Sequence, residues 1–378
     1  MSDASHHVHG VGPDEVPADW PPLQTGEIGT LLARYPALTS DGWRIAWHSP
    51  RPLSAAALVD TAQGQIFIKR HHVSVRTPAC LEEEHRFIAH LADAGLSVVG
   101  LYADRHGHTA VAQGDWTYEI HGAGIGEDLY RETTSWTPLT DLAQAREAGI
   151  VLARLHQAAA SYTAPQRSTH LLVARDDLLR ADDPIAALQA QLDERPGLAV
   201  YLQHHAWQED VRQHLLPWHT GLAQRLRDEP RLWAHNDWHV SNLLWQRHGE
   251  AMRISSVLDF GLASPTGALF DLATAIERNA IAWLALERGM DAIHIDTALA
   301  LIAGYRQVLP LEPARLRLLA DLLPLVHMEF ALSEVEYFQA ITRATANADV
   351  AYDTFLLGHA QWFHTPPGQA LLQAVRAA

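Results

Sequence analysis

The chain has 378 residues, 48% of them hydrophobic, with twelve Trp, which suits about two folded domains with large cores and excludes a disordered polypeptide. Its 28 basic residues stand against 44 acidic ones, a formal net charge of −16. Such a field argues against nucleic acid and anionic membranes as partners and favours a cationic substrate, although solubility alone accounts for it.

One cysteine, Cys80, excludes an internal disulfide and suggests a reducing compartment. The first twenty residues contain no Lys, no Arg and no apolar run, so they do not read as a secretory signal, and no stretch of ~18 apolar residues spans a membrane. A cytoplasmic location is the expectation.

Residues 1–25 are rich in His, Pro, Asp and Gly and read as a flexible leader; His6, His7 and His9 on such an arm need bind nothing specific. Leu31–Leu38 suggests a short helix. From Trp43 the pattern turns β-like: Trp43–His48, Ala55–Asp60 and Gln65–His71, with Gln63-Gly64 as the turn between the last two. Lys69 ends the apolar run Ile66-Phe67-Ile68. Pro78 to Gly95 has helical period and carries Glu82, Glu83 and Glu84, which lie ~100° apart so that only one faces inward. Two more β-like runs follow, His108–Gln113 and Trp116–His121.

From Pro138 the chain becomes helical. Thr140–Tyr162 bears a stripe of Leu142, Ala145, Ala148, Val151, Leu152 and Leu155, and Pro184–Leu192 and Leu198–Leu226 add further helices. Residues 163–183 read as an insertion on the substrate side. Later helices are expected at Ala268–Arg288, Asp291–Leu309, Pro313–Thr345 and Asp349–Phe363. In the third of these, Glu329, Ser333 and Glu336 share a face.

The chemistry is concentrated between residues 232 and 262, which read as strand, turn, strand with polar groups at one end. Asp237 can orient and deprotonate a hydroxyl. Five residues on, the amide oxygen of Asn242, with the carboxylate of Asp259 in Asp-Phe-Gly, supplies hard oxygen ligands suited to Mg2+. The loop His235-Asn236-Asp237-Trp238-His239-Val240-Ser241-Asn242 follows the pattern His-x-Asp-x-x-x-x-Asn, and Asp271-Leu272-Ala273 comes after Asp-Phe-Gly. On these residues the chain resembles the aminoglycoside phosphotransferase and choline kinase-like superfamily from about Trp43 to Phe363. The hinge stretch is closest to its homoserine-kinase-like branch.

The resemblance implies an α+β, bilobal protein-kinase-like fold. A small β-rich N-terminal lobe, residues 26–121, would bind the nucleotide, and a larger helical lobe, 122–378, would carry catalysis and the acceptor. It implies ATP and Mg2+ as cofactors, Asp237 as catalytic residue, and Asn242 and Asp259 as metal ligands. Lys69, held by Glu84, would meet the phosphates, and the Tyr118 carbonyl and Ile120 amide would read the adenine. His235 and Asp271 would support the loop. The reaction would move the γ-phosphoryl group of ATP to a hydroxyl of a small-molecule acceptor that is aminoglycoside-, choline- or homoserine-like. The phosphate-covering loop, within 49–57, lacks the Gly-x-Gly-x-x-Gly of protein kinases, and too few residues separate Asp259 from Asp271 for an activation segment. A silent nucleotide-binding scaffold is the alternative, although none of Lys69, Asp237 and Asp259 is lost. Zinc on the His235-x-Asp237-x-His239 string would leave Lys69 and Asn242 unexplained.

Overall fold

The structure, a computed structural model, describes residues 7–9, 14–38, 42–131, 133 and 136–378. These form two compact units, one of residues 1–93 with 97–125, the other of 94–96 with 126–378. The division falls a few residues beyond the expected boundary at 121, because the strand that ends the first unit runs on to Gly122.

The first unit is a five-stranded antiparallel sheet. Its strands are β3 (Trp43–His48), β4 (Ala55–Thr61), β5 (Gly64–His72), β6 (Ala110–Gln113) and β7 (Trp116–Gly122), in the order β3-β4-β5-β7-β6. The period of two sends Ile66 and Ile68 of β5, with Tyr118 and Ile120 of β7, to one face. There they pack against Ile28, Leu31 and Leu32 of α1 (Thr25–Leu32). The other face bears Phe67, Lys69 and His71 opposite His121, Glu119 and Thr117. On it lies α2 (Pro78–Asp93), whose His85 Nε2 bonds Glu119 at 2.8 Å.

The expected loose leader is ordered where it is described. β1 (His7–His9) pairs antiparallel with β2 (Glu15–Pro17), and Leu23 is buried in the sheet core. Trp20 stacks on His72 at 5.2 Å. Arg70, buried on β5, donates to Glu27 of α1 at 2.6 Å and to the Pro21 carbonyl, which lies within the expected leader. His6 lies outside the described residues.

In the second unit, α3 (Leu142–Ala159) starts at Asp141, whose carboxylate accepts from the amides of Ala143 and Gln144. It crosses the helix Ile295–Tyr305 at two glycines. A Cβ on Gly149 would lie 2.1 Å from the Leu301 carbonyl oxygen, and one on Gly304 2.0 Å from that of Arg146. Backbones meet there with no room for a side chain. Two antiparallel strand pairs hold the polar turn: β8 (Trp233–Ala234) with β11 (Ser264–Pro265), and, between them in the chain, the hairpin of β9 (Leu243–His248) and β10 (Ala251–Val257). Helices Ala268–Ala280, Pro313–Leu322, Met328–Glu336 and Pro366–Ala377 follow.

Two expected helices are shorter than their apolar pattern. The first stops at Ala280, where Ile281 turns extended and bridges Ile293. The expected Pro313–Thr345 helix breaks after Leu322 and resumes at Met328. No helix among the described residues is long and apolar enough to cross a membrane.

Candidate active site

The polar turn between β8 and β9 is held from below by one carboxylate. Asp271, fully buried near the start of the Ala268–Ala280 helix, accepts from the backbone amides of His235 (2.9 Å) and Asn236 (2.8 Å) and bonds His156 Nε2 (3.0 Å). His156 ends α3, and its Nδ1 bonds the Tyr305 hydroxyl at 2.8 Å. Asn236 takes φ of 62°, a left-handed conformation that Asn tolerates. Its amide nitrogen donates to the carbonyls of Ala234 and Ser264, and its Oδ1 accepts from Thr266. His235 Nε2 donates to the Leu258 carbonyl (2.8 Å) and its Nδ1 accepts from the Asp237 amide (3.2 Å), which assigns the tautomer and uses both nitrogens. A zinc on the His-x-Asp-x-His string would need one of them.

On this base, Asn242 Nδ2 donates both to the Asp237 carbonyl (2.9 Å) and to Asp237 Oδ2 (3.0 Å). The amide hydrogens of Asn242 are thereby spent on Asp237, which leaves its Oδ1 as the ligand atom. The Asn242 carbonyl accepts from the Leu258 amide (2.9 Å), tying this turn to the residue before Asp259. Asp259 sits in the left-handed region with φ of 51°. An amide oxygen and a carboxylate at the end of one hairpin fit a hard cation such as Mg2+. Arg278 Nη2 lies 3.2 Å from Asp237 Oδ1, and its guanidinium covers the Trp136 ring at 4.3 Å. Burial opposes ionisation of Asp237, yet Arg278, then His239 and His235, hold its carboxyl well below the usual carboxylate range. The sequence reading missed Arg278: nothing local marks a helical arginine forty-one positions downstream as a partner of Asp237.

In the first unit, Lys69 is half-buried on β5, directly opposite Glu119 of β7. Glu84 is the one buried member of its glutamate triplet. Glu119 accepts from three imidazoles, His71 (3.0 Å), His85 (2.8 Å) and His121 (2.8 Å). Burial works to raise its pKa, but His121 and the other two hold the carboxyl well below its ordinary value. The expected adenine contacts at Tyr118 and Ile120 do not sit on an open edge. β7 has a neighbour on both sides: Tyr118 faces Arg70 and Val111, and the Ile120 carbonyl accepts from the Tyr102 amide at 2.9 Å. Residues 100–102 close that side of the strand without a β pattern of their own. In the loop 49–54, Leu53 takes φ of 73° where a glycine-rich loop would place glycine.

The acidic face of the Met328–Glu336 helix is neither solvated nor open to a ligand. Glu329 accepts from the Leu178 amide (2.9 Å), Ser333 from the Leu172 amide (2.5 Å), and Glu336 from Arg195 (2.7 Å). Those three bonds pin residues 172–195 to the helix. The stretch read as an insertion is therefore packed: beside the catalytic turn the Ala174 amide donates to the Leu262 carbonyl (3.3 Å) and the Ala174 carbonyl accepts from the Ser264 hydroxyl (2.6 Å). The opposite side of the same helix carries Glu334, which sequence reasoning passed over. It joins Glu277, His327 and His359 in a buried group beside Arg278. Burial pushes the Glu277 carboxyl up and the His359 imidazole well down, so His359 is neutral.

The model of the phosphotransferase enzyme family matches residues 53–319. Among solved structures, the amicoumacin kinase hAmiN is 15% identical, with 89% of this chain and 96% of that one covered at a TM-score of 0.56. A microcompartment-associated aminopropanol kinase is 17% identical over 91% and 99%, with a TM-score of 0.55. A Plasmodium vivax ethanolamine kinase is 14% identical over 90% and 84%, also at 0.55. At these identities the likeness is one of fold, an α+β kinase-like one. No curated protein sequence matches.

Proposed function

We propose that this chain, which belongs to the phosphotransferase enzyme family, moves the γ-phosphoryl group of ATP to a hydroxyl of a small cationic acceptor such as an amino alcohol or amino sugar. The observation that carries the reading is the turn in which Asn242 grips Asp237 through two hydrogen bonds while its carbonyl accepts from Leu258, the residue before Asp259. The acceptor class draws support from the net charge of −16 and from the aminopropanol and ethanolamine named for two proteins of similar fold.

In this reading Asn242 and Asp259 hold Mg2+, which neutralises charge on the transferring phosphoryl group. Lys69, with Glu84, is assigned to the nucleotide phosphates. The adenine-reading backbone falls after Gly122, where strand pairing ends. Asp237 acts first by position. A carboxylate so strongly stabilised as its anion is a weak base, and in a loose transition state the acceptor's proton leaves late. Asp237 therefore aligns the hydroxyl, and Arg278 keeps the carboxylate charged and still.

The test is ADP release from ATP and Mg2+ across a panel of amino alcohols, amino sugars and hydroxy amino acids. Asp237→Ala should lower kcat at least ~100-fold with little loss of ATP binding. Turnover that survives this change, or no stimulation by any acceptor, would defeat the reading. A silent scaffold would bind ATP and release no ADP.

A further inference from the structure

Among the described residues, several buried polar atoms lack a hydrogen-bond partner, and four of them lie together beside Arg278. Glu277 Oε1, His359 Nδ1, His327 Nε2 and Glu334 Oε2 are all buried and have no hydrogen-bond partner. Their residues are 1%, 5%, 9% and 7% exposed. Four orphaned polar atoms in one place are costly unless something binds there. By contrast, in the His85, Glu119 and His121 group of the first unit both imidazoles already bond Glu119 through Nε2 at 2.8 Å, and His121 Nδ1 alone is left without a partner.

The spacing indicates what binds. His359 Nδ1 lies 3.6 Å and His327 Nδ1 3.8 Å from Glu277 Oε1, and one ligand atom from each of the three residues lies within 4.8 Å of the others. Those gaps are too long for hydrogen bonds. Tetrahedral ligands at zinc-type bond lengths of about 2.1 Å stand about 3.4 Å apart. Acceptors around an ammonium or water, at hydrogen-bond lengths of about 2.8 Å, stand about 4.6 Å apart. The observed separations sit near the metal value.

We infer that Glu277, His327 and His359 form a site for one divalent transition ion of the zinc type, bound through two imidazole nitrogens and a carboxylate oxygen. The donor set is right for such an ion and wrong for Mg2+. The rings are held as ligands usually are. His359 stacks on Trp283 at 3.6 Å, and His327 stands edge-on to Trp136 at 5.6 Å. The other nitrogen of His327 faces Glu334 Oε2 at 3.7 Å, longer than a hydrogen bond but on the side from which an outer carboxylate orients a ligating imidazole. Three different elements supply the ligands: the end of the Ala268–Ala280 helix, the residue before Met328–Glu336, and the start of His359–Trp362. With three protein ligands the ion keeps a fourth position. Glu277 and His327 also line a small cavity with Asn236 and Arg278, and that cavity is where a fourth ligand would enter.

The full chain, stripped with a chelator and held in excess Mg2+ without nucleotide, is titrated with Zn2+ by calorimetry and with Co2+ by visible absorption. One equivalent should bind, with the intense absorption of four-coordinate Co2+. Glu277→Gln and His359→Gln should each weaken binding at least ~10-fold, and Glu334→Gln, which touches no metal, should weaken it by about the same factor. Circular dichroism identifies any variant that fails to fold, and the Zn2+-induced rise in the wild-type midpoint of unfolding then serves in its place. No uptake by the wild type overturns the site. So does an equivalent that persists in folded Glu277→Gln but disappears in Asp259→Asn, or a midpoint raised by ethanolamine and not by Zn2+. None of these readouts depends on phosphoryl transfer, so the site and the kinase reading fail separately.

Discussion

Asp271→Asn is the sharpest probe of how the catalytic turn is held. The wild-type carboxylate, fully buried, accepts the amides of His235 and Asn236 on separate oxygens. Asparagine keeps one acceptor and turns an NH2 toward the other amide, so one charge-assisted bond is lost and a buried N–H is left facing a donor. Bonds to charged groups contribute about 1.5–3 kcal/mol and an orphaned buried donor costs about 1–3 kcal/mol. The two terms overlap, so local opening should become easier by about 2–4 kcal/mol, which is roughly thirty- to a thousand-fold in the opening constant. Hydrogen exchange of the His235 and Asn236 amides reads this directly. Asp321→Asn, which removes a partly exposed partner of Arg225 and Arg376, is the control and should leave those amides unchanged. The turn should also lose kcat at least ~10-fold, with a smaller change in the KM for ATP, because Asp237 rides on the two affected amides. Exchange within threefold of wild type would refute the argument.

Two further outcomes follow from the packing and the buried charge. Gly149→Ala should cost about 3 kcal/mol or more in urea unfolding, since its Cβ would meet the Leu301 carbonyl at 2.1 Å; Gly26→Ala, on exposed α1 with nothing within 4 Å, should instead stabilise by about 0.5–1 kcal/mol. An equal effect at both positions would remove the case for a backbone contact. Glu329 is pushed up to about 8 by burial and by Asp177 and Asp176. Its folded form thus holds a proton that the unfolded chain, at about 4.5, has released, so this group's contribution to stability falls as pH rises from about 5 to 8. Glu329→Gln should flatten the loss over that window relative to wild type, by up to about 1.4 kcal/mol per pH unit; parallel stability curves would sink the assignment.

Local pattern was enough for the elements that build the catalytic turn. The strand, turn, strand reading of that stretch is met by β9 and β10, which pair antiparallel beside the turn where Asn242 bonds Asp237; in the first unit, Trp43–His48 is a strand over those very residues and α2 starts at Pro78, where proline signals it. What could not be read depends on contacts far apart in the chain. Ile281 leaves the helix because Ile293 is there to pair with it, and no glycine or proline announces the change. Tyr118 and Ile120 were expected to read the adenine from the hinge, and nothing in the composition of Gly100–Tyr102 shows that it closes the sheet beside them. Glu329 and Glu336 stood out by spacing, whereas Glu334, one residue off that face, points to His327. Periodicity tells which residues share a face, and it is silent on what lies opposite. His327 and His359 are thirty-two positions apart and carry no motif, so only the fold brings them to Glu277.

The glycine crossing of α3 with Ile295–Tyr305 has a bearing on reactivity that distance conceals. Tyr305 follows Gly304 directly, and its hydroxyl bonds His156, in the last turn of α3, which in turn bonds Asp271. With carbonyls abutting at Gly149 and Gly304, neither rod can slide along the other. The seam thereby acts as a gauge block for the platform under residues 235–237. Lesions at Gly149, about two turns from His156 along α3, would present in an enzyme assay as damaged chemistry.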